Sequence, residues 1–135
     1  MIKTGIKTKG VVHFTIPVSD IERSERFYVD LLGMEVVSRV PPAGMVFLQS
    51  GKDIFVLARS DTPVNPNTGD GRMVHHGFLV DQDKYDEALA LLRAGGVNVI
   101  HEEFREQGVF PGRQVYFHDP DRNVLELLDR PRVPS

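Results

Sequence analysis

Histidine, glutamate and tyrosine are the candidate chemical groups in this chain of 135 residues, which has no cysteine. Disulfides, thiolate ligands and a cysteine nucleophile are thereby excluded. His75 and His76 stand side by side in "MVHHGFLV". Neighbouring side chains on a strand point to opposite faces, so only one of them can share a site with a given residue elsewhere. In "HFTIPV", Phe14, Ile16 and Val18 form an apolar face and leave His13 with Thr15 on the other. In "HHGFLV", His76 has the parity of Phe78 and Val80, which mark the helix side, whereas His75 has the parity of His13. In "NVLELLD", Glu126 lies between Leu125 and Leu127 on the face opposite their apolar stripe. A lone strand histidine or glutamate is commonly structural or solvent-facing. Two imidazoles and one carboxylate of matched parity are instead what a divalent first-row metal takes when positions must stay open for substrate or oxygen.

The elements that must position these residues occur twice. "VVHFTIPV", "SDIERSERFYVDLLG" and "MEVVSRV" return sixty-two residues later as "MVHHGFLV", "DQDKYDEALALLRAG" and "GVNVIHEEF". His13 registers on His75, Ser19 on Asp81, Phe27 on Leu89 and Gly33 on Gly95. The pattern predicts an α+β fold of two tandem βαβββ modules, forming curved mixed sheets with helices on the outer side. Ser19 and Glu22 have capping-box spacing at the first helix. Ile21, Phe27, Tyr28, Leu31 and Leu32 supply its buried face; Tyr85, Ala88, Leu89 and Leu92 do so in the second. Gly33 and Gly95 sit where C-cap glycines belong. The remaining strands are expected at 34–40, 45–49 and 53–58, and at 97–104, 113–118 and 123–128. The division is a lead-in at 1–9, a first module at 10–58, a linker at 59–72, a second module at 73–129 and a tail at 130–135. The linker, rich in Pro, Gly, Asn and Asp, and a second loop at 106–112 separate the elements, and the stretches 59–72 and 105–113 are expected to shape a pocket.

The chain is 41% apolar and 26% charged with a formal net charge of −3, ordinary for a globular domain. That charge gives no reason to expect nucleic acid as a partner. No apolar run is long enough for a bilayer span, and "MIKTGIKTKG" has no apolar core of a secretory signal. The expectation is a cytoplasmic protein acting on a small molecule, with neither nucleic acid nor membrane as partner.

Three stretches, "HFTIPVSDIERSERFYVDLLGMEVV", "HHGFLVDQDKYDEALALLRAGGV" and "VYFHDPDRNVLELL", resemble the vicinal oxygen chelate superfamily over about residues 10–129. That group includes glyoxalase I, extradiol dioxygenases, fosfomycin-resistance proteins and bleomycin-resistance proteins. The resemblance implies that His13, His75 and Glu126 are metal ligands. It implies that Tyr116, ten residues before Glu126, contacts substrate as an acid/base or hydrogen-bonding group. His118 shares the parity of Tyr116 but lies near the turn, and His101 lies on the sixth strand; these two and His76 receive no role. Two positions depart from the pattern. Val56 stands where many members have a fourth ligand, which speaks against glyoxalase I itself. Arg122 stands where the "DPDRN" turn usually has glycine.

The resemblance then implies a small metal-dependent enzyme that binds adjacent substrate oxygens. A facial two-His, one-carboxylate set suits Fe(II), then Mn(II), with Zn(II) and Ni(II) as further options. Ring-cleaving dioxygenase chemistry is the leading reading. The alternatives are fosfomycin-type thiol transfer, whose potassium-binding loop is not recognisable here, and a glyoxalase-like lyase or isomerase. A metal-free binder of the bleomycin-resistance kind is the rival from another class, and the intact triad counts against it. A homodimer is expected: in this superfamily modules pair within one chain or are exchanged between two, and one pair of modules leaves sheet edges for self-association to cover.

Overall fold

The computed structural model describes residues 5–62 and 65–131. The expected lead-in, linker and tail therefore fall partly outside the described residues. Each half follows the predicted order. The first contains β1 (Thr15–Val18), α1 (Ile21–Arg26), β2 (Glu35–Val40), β3 (Met45–Ser50) and β4 (Asp53–Arg59). The second contains β5 (His75–Leu79), α2 (Tyr85–Ala94), β6 (Val99–Arg105), β7 (Gly112–His118) and β8 (Val124–Leu128). They build two four-stranded mixed sheets with the same topology, β1-β4-β3-β2 and β5-β8-β7-β6.

The repeat holds to the level of register. Thr15 pairs with Val56 in one parallel ladder, and Gly77 with Glu126 in the other. Phe47 pairs with Val56, and Tyr116 with Glu126. Both outer strands carry a register shift at the matching place, between Val36 and Ser38 and between Val99 and His101. One apolar cluster runs through both modules, including Ile16, Tyr28, Leu57, Phe78, Phe117 and Leu125. Alternation explains it: the apolar parity of every central strand turns into this shared core, and the other parity is left for the concave faces.

Polar contacts at the "HDPDRN" turn join the modules. The buried Tyr28 hydroxyl donates to Asp119 Oδ2 at 2.8 Å, and Asn123 Nδ2 donates to Pro17 O at 2.9 Å. Burial raises the Asp119 carboxyl above its usual range, although bonds from Asn123 and Tyr28 oppose this. Tyr28 is placed by a single π turn, Phe27–Leu31, that continues α1.

Local expectations differ at three places. The first strand begins at Thr15 instead of near Val11. His13 thus lies beyond its ladder, while His75 is paired with Val124. Val11 and Val12 are 84% and 85% exposed, so nothing among the described residues covers that stretch. The N-cap of α1 is Asp20, whose side chain accepts from Arg23 N at 3.0 Å; Ser19 is instead turned toward Asp121, to which its hydroxyl donates. Gly95 is the C-cap of α2, as its place in the sequence implied, and the left-handed residue, Gly96 (φ 71°), follows it. His76 meets an aromatic ring instead of a helix, stacking on Phe14 with ring centres 4.4 Å apart. Arg122 does have positive φ, 66°. Among the described residues no helix is long and apolar enough to cross a membrane.

Candidate metal centre and substrate cup

The concave face of the second sheet carries the polar groups. His75 comes from β5, Tyr116 from β7 and Glu126 from β8, all of the parity opposite the core. His75 Nε2 lies 3.3 Å from Glu126 Oε1. Its other ring nitrogen, Nδ1, is 2.7 Å from the Arg72 carbonyl oxygen. A carbonyl only accepts, so Nδ1 carries the proton and donates, and in the neutral ring Nε2 is a bare lone pair. In the charged ring Nε2 donates to Glu126 as an ion pair; in the neutral form a lone pair and a carboxylate oxygen face each other. This donor set fits a divalent cation between them, with the backbone carbonyl fixing the ring as such ligands require.

Glu126 is 5% exposed and Tyr116 4%. The Tyr116 ring meets His75 edge-on at 5.1 Å, and the Arg72 guanidinium lies 5.1 Å over its face. Burial first, and then the neighbouring Glu126 carboxylate, push the Tyr116 phenol up to about 12. Its hydroxyl is therefore a proton-bearing donor near neutral pH. Gly77, opposite Glu126, is a contributor that the motifs did not single out. A Cβ there would lie 3.2 Å from Glu126 Oε1 and 3.0 Å from Leu128 Cδ1, so glycine leaves the carboxylate its room. An isolated glycine inside a strand pattern was the available signal. These residues line a cavity of about 540 Å³ together with Gln114, Arg105 and Arg130.

His13 is not part of this cavity. It lies on the wall of a different one, with Val12, Phe14 and Asp53. Among the described residues no three His, Cys, Asp or Glu side chains converge closely enough to hold a metal. The structure thus brings together His75, Glu126 and Tyr116, and leaves His13 apart. His101 stands beside Tyr116, with ring centres 5.9 Å apart. His118 is buried, and Asn98 Nδ2 lies 2.9 Å from its Nδ1; burial, then Arg122, lowers its pKa. It does not line the cavity. His76, in its stack with Phe14, also has a lowered pKa, from burial first and then His75.

Residues 10–127 match the family described as the Glyoxalase/Bleomycin resistance protein/Dioxygenase superfamily. The chain is 27% identical over 119 residues to the metallothiol transferase FosB of Staphylococcus saprophyticus, covering 88% of this chain and 76% of that protein. It is 30% identical over 118 residues to the glutathione transferase FosA of Serratia marcescens, covering 85% and 77%. Among solved structures, the fosfomycin resistance protein FosX of Listeria monocytogenes superposes with a TM-score of 0.76 at 22% identity, over 92% of this chain and 95% of that one. A variant of that protein, complexed with Mn(II) and 1S,2S-dihydroxypropylphosphonic acid, gives 0.73 at 21% identity over 90% of each chain.

Proposed function

The chain belongs to the glyoxalase/bleomycin resistance/dioxygenase superfamily, and from that premise we propose that it is a metal-dependent enzyme adding a thiol or water to an electrophilic carbon of a small oxygen-bearing substrate. The observation that carries this is His75 Nε2 facing Glu126 Oε1 at 3.3 Å with its Nδ1 engaged by Arg72 O. The relatives' names, metallothiol transferase and glutathione transferase, support the fosfomycin-type alternative over the ring-cleaving dioxygenase that the sequence put first. Mn(II), present in the FosX complex, takes precedence over Fe(II) for the same reason.

The third ligand in this proposal is His13 of a second copy. His13 sits outside its own ladder, on a stretch whose Val11 and Val12 are exposed, and the intact pair on β5 and β8 is one imidazole short of the expected set. A homodimer with exchanged modules supplies that imidazole and covers the valines. A metal held by this set acts as a Lewis acid that stabilises negative charge on a substrate oxygen. The chain's residues do the rest. His75 and Glu126 define the metal's position, Gly77 leaves space at the carboxylate, and Tyr116 donates its hydroxyl proton in a hydrogen bond to the oxygen that becomes negative as the carbon–oxygen bond breaks. The new bond forms between the nucleophile and carbon as the carbon–oxygen bond breaks, and the proton lost by the thiol or water ends on the released oxygen, leaving Tyr116 as it began.

The test follows fosfomycin and a series of longer epoxide-bearing acids with Mn(II) and glutathione, cysteine or water alone, by phosphorus and proton NMR. An oxygen electrode with catechols and Fe(II) runs beside it. Metal-dependent epoxide opening without oxygen uptake supports the proposal. Catechol-dependent oxygen uptake with no epoxide opened returns the chain to the dioxygenase reading.

A further inference from the structure

Beyond His75 and Glu126 the cavity continues along β7 and β8 in steps set by their register. Tyr116 pairs with Glu126, and Gln114 with Leu128; the next residues of the same parity are Gly112 and Arg130. Each step of two residues advances about 7 Å. On the other side of β7, Arg105 pairs with Gly112. Gly112 has a left-handed φ of 105°, and a Cβ there would meet Asp129 Oδ1 first and then Cγ and Cδ of Arg130 at 3.0 Å, so the missing side chain makes way for the Asp129 carboxylate and the Arg130 stem together. Two guanidinium-bearing side chains therefore flank one glycine at the end of the cavity remote from His75, and both line it. Arg105 has a partner, Glu103, at 3.0 Å. Arg130 Nε is buried and has no hydrogen-bond partner among the described residues.

Gln114 occupies the row between. It is 1% exposed. Its Nε2 donates to Phe110 O at 2.7 Å, and because a carbonyl only accepts, this bond settles which amide atom is nitrogen. Oε1 is left as a buried acceptor without a donor among the described residues. A buried amide oxygen carries its full desolvation penalty until something donates to it. Leu79, Phe110 and Leu128 give the same stretch of the cavity its apolar wall.

We infer that the cup takes an elongated substrate, with metal-binding oxygens at one end, an N–H or O–H donor midway for Gln114 Oε1, and a terminal oxyanion held between Arg105 and Arg130. Such a molecule is longer than the three-carbon phosphonate bound in the FosX complex. Gln114 and Arg130 are then the specificity-determining residues. The metal-binding end rests on the function proposed above; the donor row and the oxyanion end stand on Gln114, Arg105 and Arg130.

The experiment titrates the full chain, loaded with Mn(II), with matched probes by calorimetry. N-oxalyl-β-alanine has vicinal oxygens, an amide N–H and a terminal carboxylate. In 2-oxoadipate a methylene replaces the N–H, and in N-propyloxamate a methyl replaces the carboxylate. N-oxalyl-2-aminoethylphosphonate reads whether the arginines prefer phosphonate to carboxylate. The first probe is expected to bind roughly tenfold more tightly than the second or third. Gln114→Leu should erase the preference over 2-oxoadipate and keep that over N-propyloxamate. Arg130→Gln should do the reverse. Equal binding of the first three probes by the wild-type chain, or unchanged preferences in a folded Gln114→Leu, overturns the inference. The same titrations on the metal-free chain, followed by backbone-amide NMR, separate the two proposals. A chain that binds no Mn(II) refutes the metal reading, and its order of probe preference still decides this one.

Discussion

The two modules are built alike and equipped differently. Thr15, Phe47 and Val56 occupy in the first sheet the places that Gly77, Tyr116 and Glu126 occupy in the second, with the same pairing between them. Their core-facing neighbours are similar: Phe55 and Leu57 in β4 match Leu125 and Leu127 in β8, and all four are buried. The concave faces share almost nothing. The first offers an apolar, metal-incompetent surface around Val56, and the second offers an imidazole, a carboxylate, a phenol and two guanidiniums. Fold and chemistry are thus written on opposite parities of the same strands. Core parity is constrained by packing at near-crystalline density, which leaves the concave parity free to gain or lose ligands without a change of architecture.

Exchanging residues between the equivalent places is the sharpest way to break this comparison. Glu126→Val should abolish Mn(II) binding, measured by calorimetry, while raising the melting temperature of the metal-free chain, because a buried carboxylate, 5% exposed, is replaced by the apolar packing of its counterpart. His75→Ala should lose the metal too. His76→Ala, one residue away on the opposite face, should keep Mn(II) affinity within about the 10–100-fold attached to groups that only support a ligand. The converse exchange, Val56→Glu, places a charge at a position 2% exposed with no cation prepared for it. It should cost about 3–5 kcal/mol in urea unfolding.

Smaller effects probe what ties the modules together. Tyr28→Phe removes one of the donors to Asp119 Oδ2 and should cost about 1–3 kcal/mol in thermal or urea melts, with Mn(II) affinity unchanged. The smallest effect concerns Arg122. Arg122→Gly relieves a left-handed conformation that costs a non-glycine residue about 1–2 kcal/mol, but it loses a bond from Arg122 Nη2 to Gly69 O at 2.9 Å and adds unfolded-state entropy. The net change should stay within about 1 kcal/mol.

Much of this was legible in the residues because period-two alternation is a strong signal when one face is buried. It separated His75 from His76, put Tyr116 and Glu126 on the concave side and located all eight strands to within a few residues. Local capping was less legible: Ser19 and Asp20 are both good N-caps, and the choice depended on Asp121, a hundred residues away. The stacking of His76 on Phe14 was hidden for the same reason, since parity gives a face and not the partner that lies against it. Gln114 and Arg130 were invisible as a pair, because their meeting depends on the β7–β8 register and on the missing side chain of Gly112.

The central claim is that the second module's cup holds a divalent metal, completed by His13 from another copy. Mixing two defective variants tests it most directly. His13→Ala keeps the His75–Glu126 pair, and Glu126→Ala keeps His13. Each alone should fail to bind Mn(II). After the two are unfolded together and refolded, exchanged modules would join the intact His13 of one chain to the intact pair of the other, and Mn(II) binding should return at about a quarter of the wild-type site number for statistical pairing. If the mixture stays as inert as its components while the wild-type chain binds Mn(II), the ligands do not come from two chains and the account of the site fails.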